Sequence, residues 1–153
     1  MAGRALTPAE VLARIPQREP FRFVDEIVAI DDERVVATYR WREDADFYRG
    51  HFPGDPVTPG VLLVEALAQA SVVALGAYLL AKELPEAEAA KIVPFFTEAN
   101  VEFTGVVPPG ARVRMESRRL LWRMRKLRVE GAMALEDGTV VCAGTLAGVG
   151  VAR

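Results

Sequence analysis

The segment that constrains the fold most runs from residue 60 to about residue 84, between Pro59 and Pro85. Its length predicts one long helix that is apolar on nearly every side, and such a helix is normally buried all round. The same length would also suffice to cross a membrane. However, Glu65 and Gln69 lie within its first turns, and an acid at mid-membrane costs ~2.5–3.5 kcal/mol on insertion scales. We therefore predict a core helix and no membrane span.

The sequence on both sides of this helix predicts a short helix and an antiparallel sheet. A capping box at Thr7 and Glu10 predicts a helix that ends near Pro16. Asp137-Gly138 predicts a tight hairpin turn. Strands are predicted at residues 21–30, 34–41, 100–107, 111–122, 124–135 and 139–151. A curved sheet wrapped around one helix covers only one side of it, so we expect an α+β fold that forms a dimer.

Length and composition restrict the class of protein. A chain of 153 residues with 51% hydrophobic residues fits one domain over residues 1–153 that needs no disulfide. Cys142 is the only cysteine, and its apolar neighbours are typical of a small buried side chain. Residues 1–10 lack the apolar stretch of a signal peptide, so we expect a cytoplasmic protein. The net charge of −2 argues against nucleic-acid binding by the surface as a whole.

Positive charge is concentrated in one stretch of the chain. Seven arginines and Lys126 lie between Arg112 and Arg128, with Glu116 as the single acid. Two interpretations stay open. These residues form the solvated face of a pair of strands, or they form a docking patch for an acidic partner.

Two side chains are candidates for acid–base chemistry. His51 is the only histidine, and it lies in the sequence GHFPGDPVTPG, among three prolines and three glycines. Imidazole is the side chain that both takes and gives a proton near neutrality, so His51 is the candidate base. Glu65 lies on a helix that otherwise excludes charge, and a buried carboxylate is costly to ionise, which suits a general acid. The alternative is a Glu65 that points to the helix end and solvent. Gln69, one turn later, is placed to hydrogen-bond the carboxyl.

The start of the long helix offers a backbone donor. With Thr58 as the cap and Pro59 at the first helical position, the amide of Gly60 falls in the first turn, where N–H groups have no acceptor within the helix. Such a donor, aided by the helix dipole, polarises a carbonyl or receives an oxyanion. A base, an acid and a carbonyl activator together fit proton abstraction next to a carbonyl, with loss or gain of a β-leaving group.

Other chemistries lack the residues they need. The chain has no phosphate loop and no dinucleotide-binding glycine pattern. A single histidine with a single cysteine makes a His/Cys metal site implausible. We expect no cofactor and no metal.

Two segments carry a resemblance to a known family: GHFPGDPVTPGVL at residues 50–62 and VEALAQ at residues 64–69. They resemble the 3-hydroxyacyl-(acyl-carrier-protein) dehydratases of type II fatty acid synthesis, the FabZ/FabA type. The likeness extends over roughly residues 11–150. It implies a hotdog fold, in which a sheet wraps around one long helix, and a homodimer with two shared active sites. A trimer of dimers is a further assembly that the resemblance allows.

The resemblance also implies a role for each candidate residue. His51 would remove the α-proton of a (3R)-hydroxyacyl thioester, and Glu65 of the partner subunit would protonate the departing β-hydroxyl. The Gly60 amide would bind the thioester oxygen, and the products would be a trans-2-enoyl thioester and water. Gln69 and Pro56 are expected to support this site.

The implied partner is an acyl carrier protein. A tunnel lined by the long helix would hold the acyl chain, and the basic stretch would meet the acidic carrier. The docking residues expected on this basis are Arg118, Arg119, Arg123, Arg125 and Lys126.

The chain departs from the family pattern at several positions. The sequence QRE at residues 17–19 stands where the family usually has His-Arg-Tyr, and Thr58 stands where Met is common. Asp55 is closer to the FabA branch, while Glu65 fits the FabZ branch. The resemblance therefore indicates the reaction more firmly than the pathway, which is fatty acid synthesis or a specialised polyketide-like route. The alternative functions are a hotdog thioesterase and a non-catalytic acyl-binding subunit.

Overall fold

The computed structural model describes residues 3–153 and contains three helices, one further short 3-10 helix (Asp46–Arg49) and one antiparallel sheet. The strands are β1 (Glu26–Ile30), β2 (Arg34–Arg40), β3 (Ile92–Phe103), β4 (Arg112–Arg123), β5 (Lys126–Leu135) and β6 (Val140–Ala152). The helices are α1 (Pro8–Arg14), α2 (Gly60–Glu83) and α3 (Glu86–Ala89). All six strands form one sheet in the order β1-β2-β4-β5-β6-β3, so β1 and β3 are its edges.

The long helix α2 forms the centre of the core. Leu67 and Leu75 on this helix are completely buried. Alternate residues of β4, among them Val113 and Met115, are buried in the same cluster, as the period of two in the sequence predicts. The sheet therefore packs one face against a single long helix, which confirms the predicted hotdog fold.

The helix α2 consists of three segments. Gly60–Ala68 and Ala74–Glu83 are α-helical, and Gln69–Val73 between them is π-helical. By length and composition alone, α2 could cross a membrane. Its buried side chains pack instead against the sheet, as those of the core helix of a folded domain do.

The largest errors in the predicted strand bounds concern two strands. The strand predicted at 21–30 begins at Glu26, because the carbonyl of Phe21 and the amide of Phe23 bind the side chain of Gln69 instead of a neighbouring strand. The strand predicted at 100–107 is β3, which runs from residue 92 to residue 103. Most of β3 is exposed, so it lacks the alternation of buried and exposed residues that marks a strand. Its Pro94 is tolerated because β3 is an edge strand.

The predicted cap of α2 is also wrong. Pro59, not Thr58, is the N-cap residue, and α2 begins at Gly60 without a side-chain cap. The hydroxyl of Thr58 is 2.7 Å from the hydroxyl of Tyr48. It forms a hydrogen bond with Tyr48 and does not accept one from the first amides of α2. The carbonyl of Pro59 accepts hydrogen bonds from the first turn, at 2.9 Å from Leu62 N and 3.1 Å from Leu63 N.

Two tight turns connect the last three strands, and they differ in residue type. The predicted turn at Asp137 and Gly138 is present, and Gly138 has φ +90°, which suits glycine. Between β4 and β5 the turn residues are Met124 and Arg125, with φ of 51° and 63°. Positive φ at both central positions normally selects Asn and Gly. Because Met124 and Arg125 form the turn, strand β5 begins at Lys126 and not at the predicted residue 124.

Candidate active site

His51 lies in a loop, residues 50–57, that is held together by its own hydrogen bonds; we call it the His51 loop. Phe52 and Asp55 exchange backbone hydrogen bonds, at 3.2 Å from Phe52 N and 2.9 Å from Asp55 N. The amide of Val57 donates to the carbonyl of His51 at 2.9 Å. Gly54 has φ +76°, a conformation that side chains other than glycine rarely adopt. The loop backbone is therefore fixed without help from the sheet.

The ring of His51 is oriented through Nδ1. This atom is 2.8 Å from the carbonyl oxygen of Val57. Because a carbonyl only accepts, Nδ1 carries the hydrogen, and Nε2 of the neutral ring has a free lone pair. The ring also stacks on Phe52, with 4.2 Å between centroids. Pro56, a predicted support residue, is exposed, and its ring restricts the backbone just before Val57.

A buried pair of hydroxyls joins the two ends of the His51 loop. Tyr48 and Thr58 are both buried, and their side-chain oxygens are 2.7 Å apart. Tyr48 belongs to the short 3-10 helix Asp46–Arg49 that precedes the loop. The amide of Thr58 also donates to the carbonyl of Val107 at 3.0 Å. Tyr48 could not be identified from the sequence, since no motif links it to Thr58 ten positions later.

Glu65 is partly buried on the second turn of α2, and Gln69 holds its carboxyl group. Gln69 Nε2 is 2.8 Å from Glu65 Oε2, so the predicted hydrogen bond is present. Gln69 is itself completely buried and is bonded to the backbone of Phe21 and Phe23. The carboxyl group is therefore held from within the core and does not simply extend into solvent.

The amide of Gly60 is at the first helical position of α2. It donates to no acceptor within residues 3–153. The ring of Phe103 packs directly against Gly60, and a Cβ added there would be 3.1 Å from Phe103 Cε1. Glycine thus permits this close packing, and its amide is free to bind a ligand oxygen at the positive end of the helix dipole.

Exposed apolar side chains lie on the elements that meet at this end of α2. Val61, next to Gly60, is 78% exposed. Phe52, Phe103 and Val106 are exposed as well. Single apolar residues are common on protein surfaces, but a group of them around one site marks a surface that binds a ligand or another chain.

An apolar cavity of about 360 Å³ lies farther along α2. Val72 and Leu80 of the helix line it, together with Ile92 at the start of β3 and Arg125 of the β4–β5 turn. At ~1.5 Å per residue, Val72 is about 10 Å from Glu65 along the helix axis. The candidate base and acid do not line this cavity in the single chain.

Two of the five predicted docking residues are paired on the sheet surface. Arg118 forms an ion pair with Glu130 at 3.0 Å, and Arg119 forms one with Glu33 at 2.6 Å. For these two arginines, the structure favours the solvated face of a strand pair.

The other three predicted docking residues cluster at the end of the β4–β5 hairpin, residues 123–126, which we call the hairpin tip. Arg123 and Arg125 form no ion pair with any residue that the structure describes, and Lys126 is 3.8 Å from Glu98. Met124 between them is 85% exposed. The hairpin tip therefore presents an apolar side chain surrounded by positive charge.

Two further observations concern metal ligands and the thiol of Cys142. Within residues 3–153, no group of three or more His, Cys, Asp or Glu side chains is arranged to hold a metal ion. Cys142 is completely buried, and burial raises the pKa of its thiol to about 11. This thiol is therefore protonated at neutral pH and is a poor nucleophile.

Comparisons with known proteins identify the family of this chain. The chain matches the family model described as a FabA-like domain over residues 15–145. It is 41% identical over 143 residues to the 3-hydroxyacyl-(acyl-carrier-protein) dehydratase FabZ of Herpetosiphon aurantiacus, covering 92% of this chain and 95% of that protein. Among solved structures, it is similar to a dehydratase heterocomplex from Xenorhabdus doucetiae, with a TM-score of 0.75 and 18% identity over 97% of this chain and 93% of the other. A thioesterase from Haemophilus influenzae shares the fold, with a TM-score of 0.68 and 14% identity over 99% of this chain and 94% of the other. The chain therefore belongs to the FabA-like dehydratase family and is a hydro-lyase.

Proposed function

We propose that this chain removes water from (3R)-hydroxyacyl thioesters carried on an acyl carrier protein, in type II fatty acid synthesis in the cytoplasm. The product is a trans-2-enoyl thioester. The observation that carries the proposal is the 2.8 Å hydrogen bond between His51 Nδ1 and the carbonyl of Val57, because it leaves Nε2 as the basic nitrogen. The family match supports the class of reaction.

In the proposed reaction, His51 removes a proton from the substrate and Glu65 donates one to it. His51 Nε2 takes a proton from C2 of the substrate, and the electron pair of that C–H bond forms the C2–C3 double bond. The bond from C3 to the hydroxyl oxygen breaks, and the hydroxyl leaves as water with the proton of Glu65. His51 is then a cation and Glu65 an anion. A proton transfer from one to the other through solvent restores the starting state.

The amide of Gly60 supplies the third part of the mechanism. Removal of the C2 proton moves negative charge onto the thioester oxygen. A hydrogen bond from the Gly60 amide, at the positive end of the α2 dipole, stabilises that oxygen most when the charge develops. The free donor observed at this position supports the role.

We propose that the working unit is a homodimer formed along β3. This strand is a twelve-residue edge of the sheet, and Phe95 and Phe96 on it are exposed. A long, exposed, apolar edge strand is a template for pairing with another chain. Pairing of two copies along β3 would cover this edge, and the proposed site would then combine His51 with Glu65 of the partner subunit.

The cavity along α2 is the proposed binding site for the acyl chain. Its lining is mainly apolar, and its position about 10 Å along the helix from Glu65 suits a chain that extends away from the reacting carbons. Gly148 and Gly150 line it as well. A Cβ at Gly150 would come within 2.6 Å of Ile92, so the absence of side chains there preserves the packing around the cavity.

The hairpin tip is the proposed docking site for the carrier protein. Arg125 belongs both to the tip and to the cavity lining, so a carrier bound at the tip would be next to the acyl-chain site. Positive charge on an exposed hairpin attracts an acidic partner and accelerates association. We expect Arg118 and Arg119 to contribute less, because their ion pairs already neutralise them.

The experiment that tests the proposed function separates dehydration from thioester hydrolysis. The purified protein is incubated with a 3-hydroxyacyl thioester on the carrier protein, and two signals are followed. We expect the ultraviolet absorbance of a conjugated enoyl thioester to rise without release of free thiol. Release of thiol would indicate a thioesterase, and the absence of both signals would indicate an acyl-binding subunit.

A further inference from the structure

The side chain of Gln69 makes a complete set of hydrogen bonds inside the core. Its Oε1 accepts from the amide of Phe23 at 2.8 Å. Its Nε2 donates to the carbonyl of Phe21 at 3.0 Å and to Glu65 Oε2 at 2.8 Å. The side chain is completely buried, so no water competes for these bonds. Both hydrogens of the amide group are used.

This arrangement permits only one orientation of the amide. A rotation by 180° would place the amide oxygen against the carbonyl of Phe21 and the NH₂ group against the N–H of Phe23. Each would leave a polar group in the interior without a hydrogen-bond partner, which is unfavourable. The backbone of Phe21 and Phe23 therefore determines that Glu65 always faces the donor end of Gln69.

We infer that Gln69 is a positioning residue that assigns the transferable proton of Glu65 to Oε1. A hydrogen of Gln69 Nε2 points at Oε2 and needs a lone pair there. The carbonyl oxygen of a carboxylic acid is a better acceptor than its hydroxyl oxygen, so this hydrogen bond favours Oε2 as the carbonyl oxygen and places the acidic proton on Oε1. Oε1 accepts no hydrogen bond from residues 3–153, and it is free to face a leaving group. This inference rests on the proposed function, in which Glu65 is the acid.

The π-helical segment of α2 provides the matched control. Gln69 opens this segment, and π-helical turns are frequent at functional sites. Ser71 lies in the same segment and is also completely buried, but its hydroxyl donates to the carbonyl of Leu67 in its own helix. Ser71→Ala therefore removes a buried hydrogen bond from the same segment without changing any contact of Glu65.

The test is a double-mutant cycle of Gln69→Leu and Glu65→Gln, measured as steady-state kcat and KM for dehydration. In the otherwise unchanged protein, we expect Gln69→Leu to lower kcat about 10- to 100-fold with little change in KM, because the acid loses its orientation. In the Glu65→Gln background, the same change should have no further effect, since no acid remains to be positioned. Ser71→Ala should stay within about twofold of the unchanged rate.

A second variant keeps the inference testable if Gln69→Leu does not fold. Gln69→Glu has nearly the same shape but presents an oxygen where Nε2 stood, and we again expect a loss of at least about tenfold in kcat. Unchanged kcat in this variant, or the same loss from Gln69→Leu in both backgrounds, would overturn the inference and leave Gln69 purely structural. Unchanged kcat in Glu65→Gln alone would instead show that Glu65 is not the acid. That result would refute the proposed mechanism itself and not only the role of Gln69.

Discussion

The His51 loop and the hairpin tip are both short and irregular, yet their backbones are supported differently. In the His51 loop, the position with positive φ is Gly54, and hydrogen bonds within the loop fix its shape. In the hairpin tip, the positions with positive φ are Met124 and Arg125, which favour other conformations. Only the first segment has the residue type that its backbone requires.

This difference indicates what each segment contributes. Hydrogen bonds within the His51 loop stabilise its conformation, and the fixed loop orients the imidazole so that Nε2 is free. The hairpin tip adopts left-handed backbone at non-glycine residues, at a cost of roughly 1–2 kcal/mol per residue. Local backbone strain of this kind is concentrated at functional sites. The exposed Met124 and its charged neighbours agree with the docking role proposed for the tip.

The largest effect is expected from removing the imidazole that the His51 loop holds in place, which tests whether this loop serves catalysis. We expect His51→Ala to lower kcat by about 10³-fold or more, because the base is lost, while the protein stays folded. Turnover and circular dichroism of the purified variant test this. Arg49→Ala is the matched control, since Arg49 is an exposed neighbour whose ion pair to Asp46 is long, at 3.6 Å. Ordinary turnover by His51→Ala would refute the assignment of the base.

The second test addresses the charge of the hairpin tip. We expect Arg123→Glu combined with Lys126→Glu to raise KM for the carrier-linked substrate about tenfold at low salt, because the tip would repel an acidic carrier. The rate with a thioester that lacks the carrier should not change. Arg118→Glu, at a residue already paired with Glu130, should have a smaller effect. Equal effects of both variants would contradict a docking site confined to the tip.

The third test concerns the hydroxyl pair that joins the ends of the His51 loop. Tyr48→Phe leaves the buried hydroxyl of Thr58 without its partner, and we expect a loss of about 1–2 kcal/mol in the free energy of unfolding. A displaced His51 should also lower kcat about tenfold. Denaturant unfolding and turnover measure the two effects. In Tyr48→Phe combined with Thr58→Val, both partners are gone, and stability should recover; further loss would show that the pair is not the cause.

The smallest expected effect comes from relieving the backbone of the hairpin tip. We expect Met124→Asn to raise the free energy of unfolding by about 0.5 kcal/mol, because Asn tolerates positive φ better than Met does. Thermal unfolding measures this as a small rise in Tm. Met124→Ala removes the same side chain without relieving the backbone, so it should not stabilise the protein. Destabilisation by Met124→Asn would mean that the packing of Met124 outweighs the strain.

The parts of the fold that the sequence predicted are those with a strong local pattern. The apolar run of α2 and the period of two in β4 follow directly from burial, so both elements were found. Strand β3 was placed eight residues too late, because an exposed edge strand has no burial pattern and Pro94 interrupts it. The turn at Met124 and Arg125 contains no turn residue, so the hairpin was foreseen only as a break between strands.

The candidate site shows the same division. His51, Gly60, Glu65 and Gln69 were identified because they lie within twenty consecutive residues of a recognisable sequence. The backbone groups that hydrogen-bond Gln69 were not identified from the sequence. The backbone of Phe21 and Phe23 is more than forty positions from Gln69, and only the packing of α2 against residues 21–23 brings them together.

The amino-acid sequence by itself determined which chemical groups this protein has and which elements carry them. It did so because residue type controls transfer from water and local backbone preference, and both are properties of short segments. The tertiary structure alone decided which nitrogen of His51 is free, which end of the Gln69 amide faces Glu65, and which of the arginines are already paired. Those choices depend on the direction of hydrogen bonds and ion pairs between segments that are distant in the chain, and direction exists only once the segments are packed.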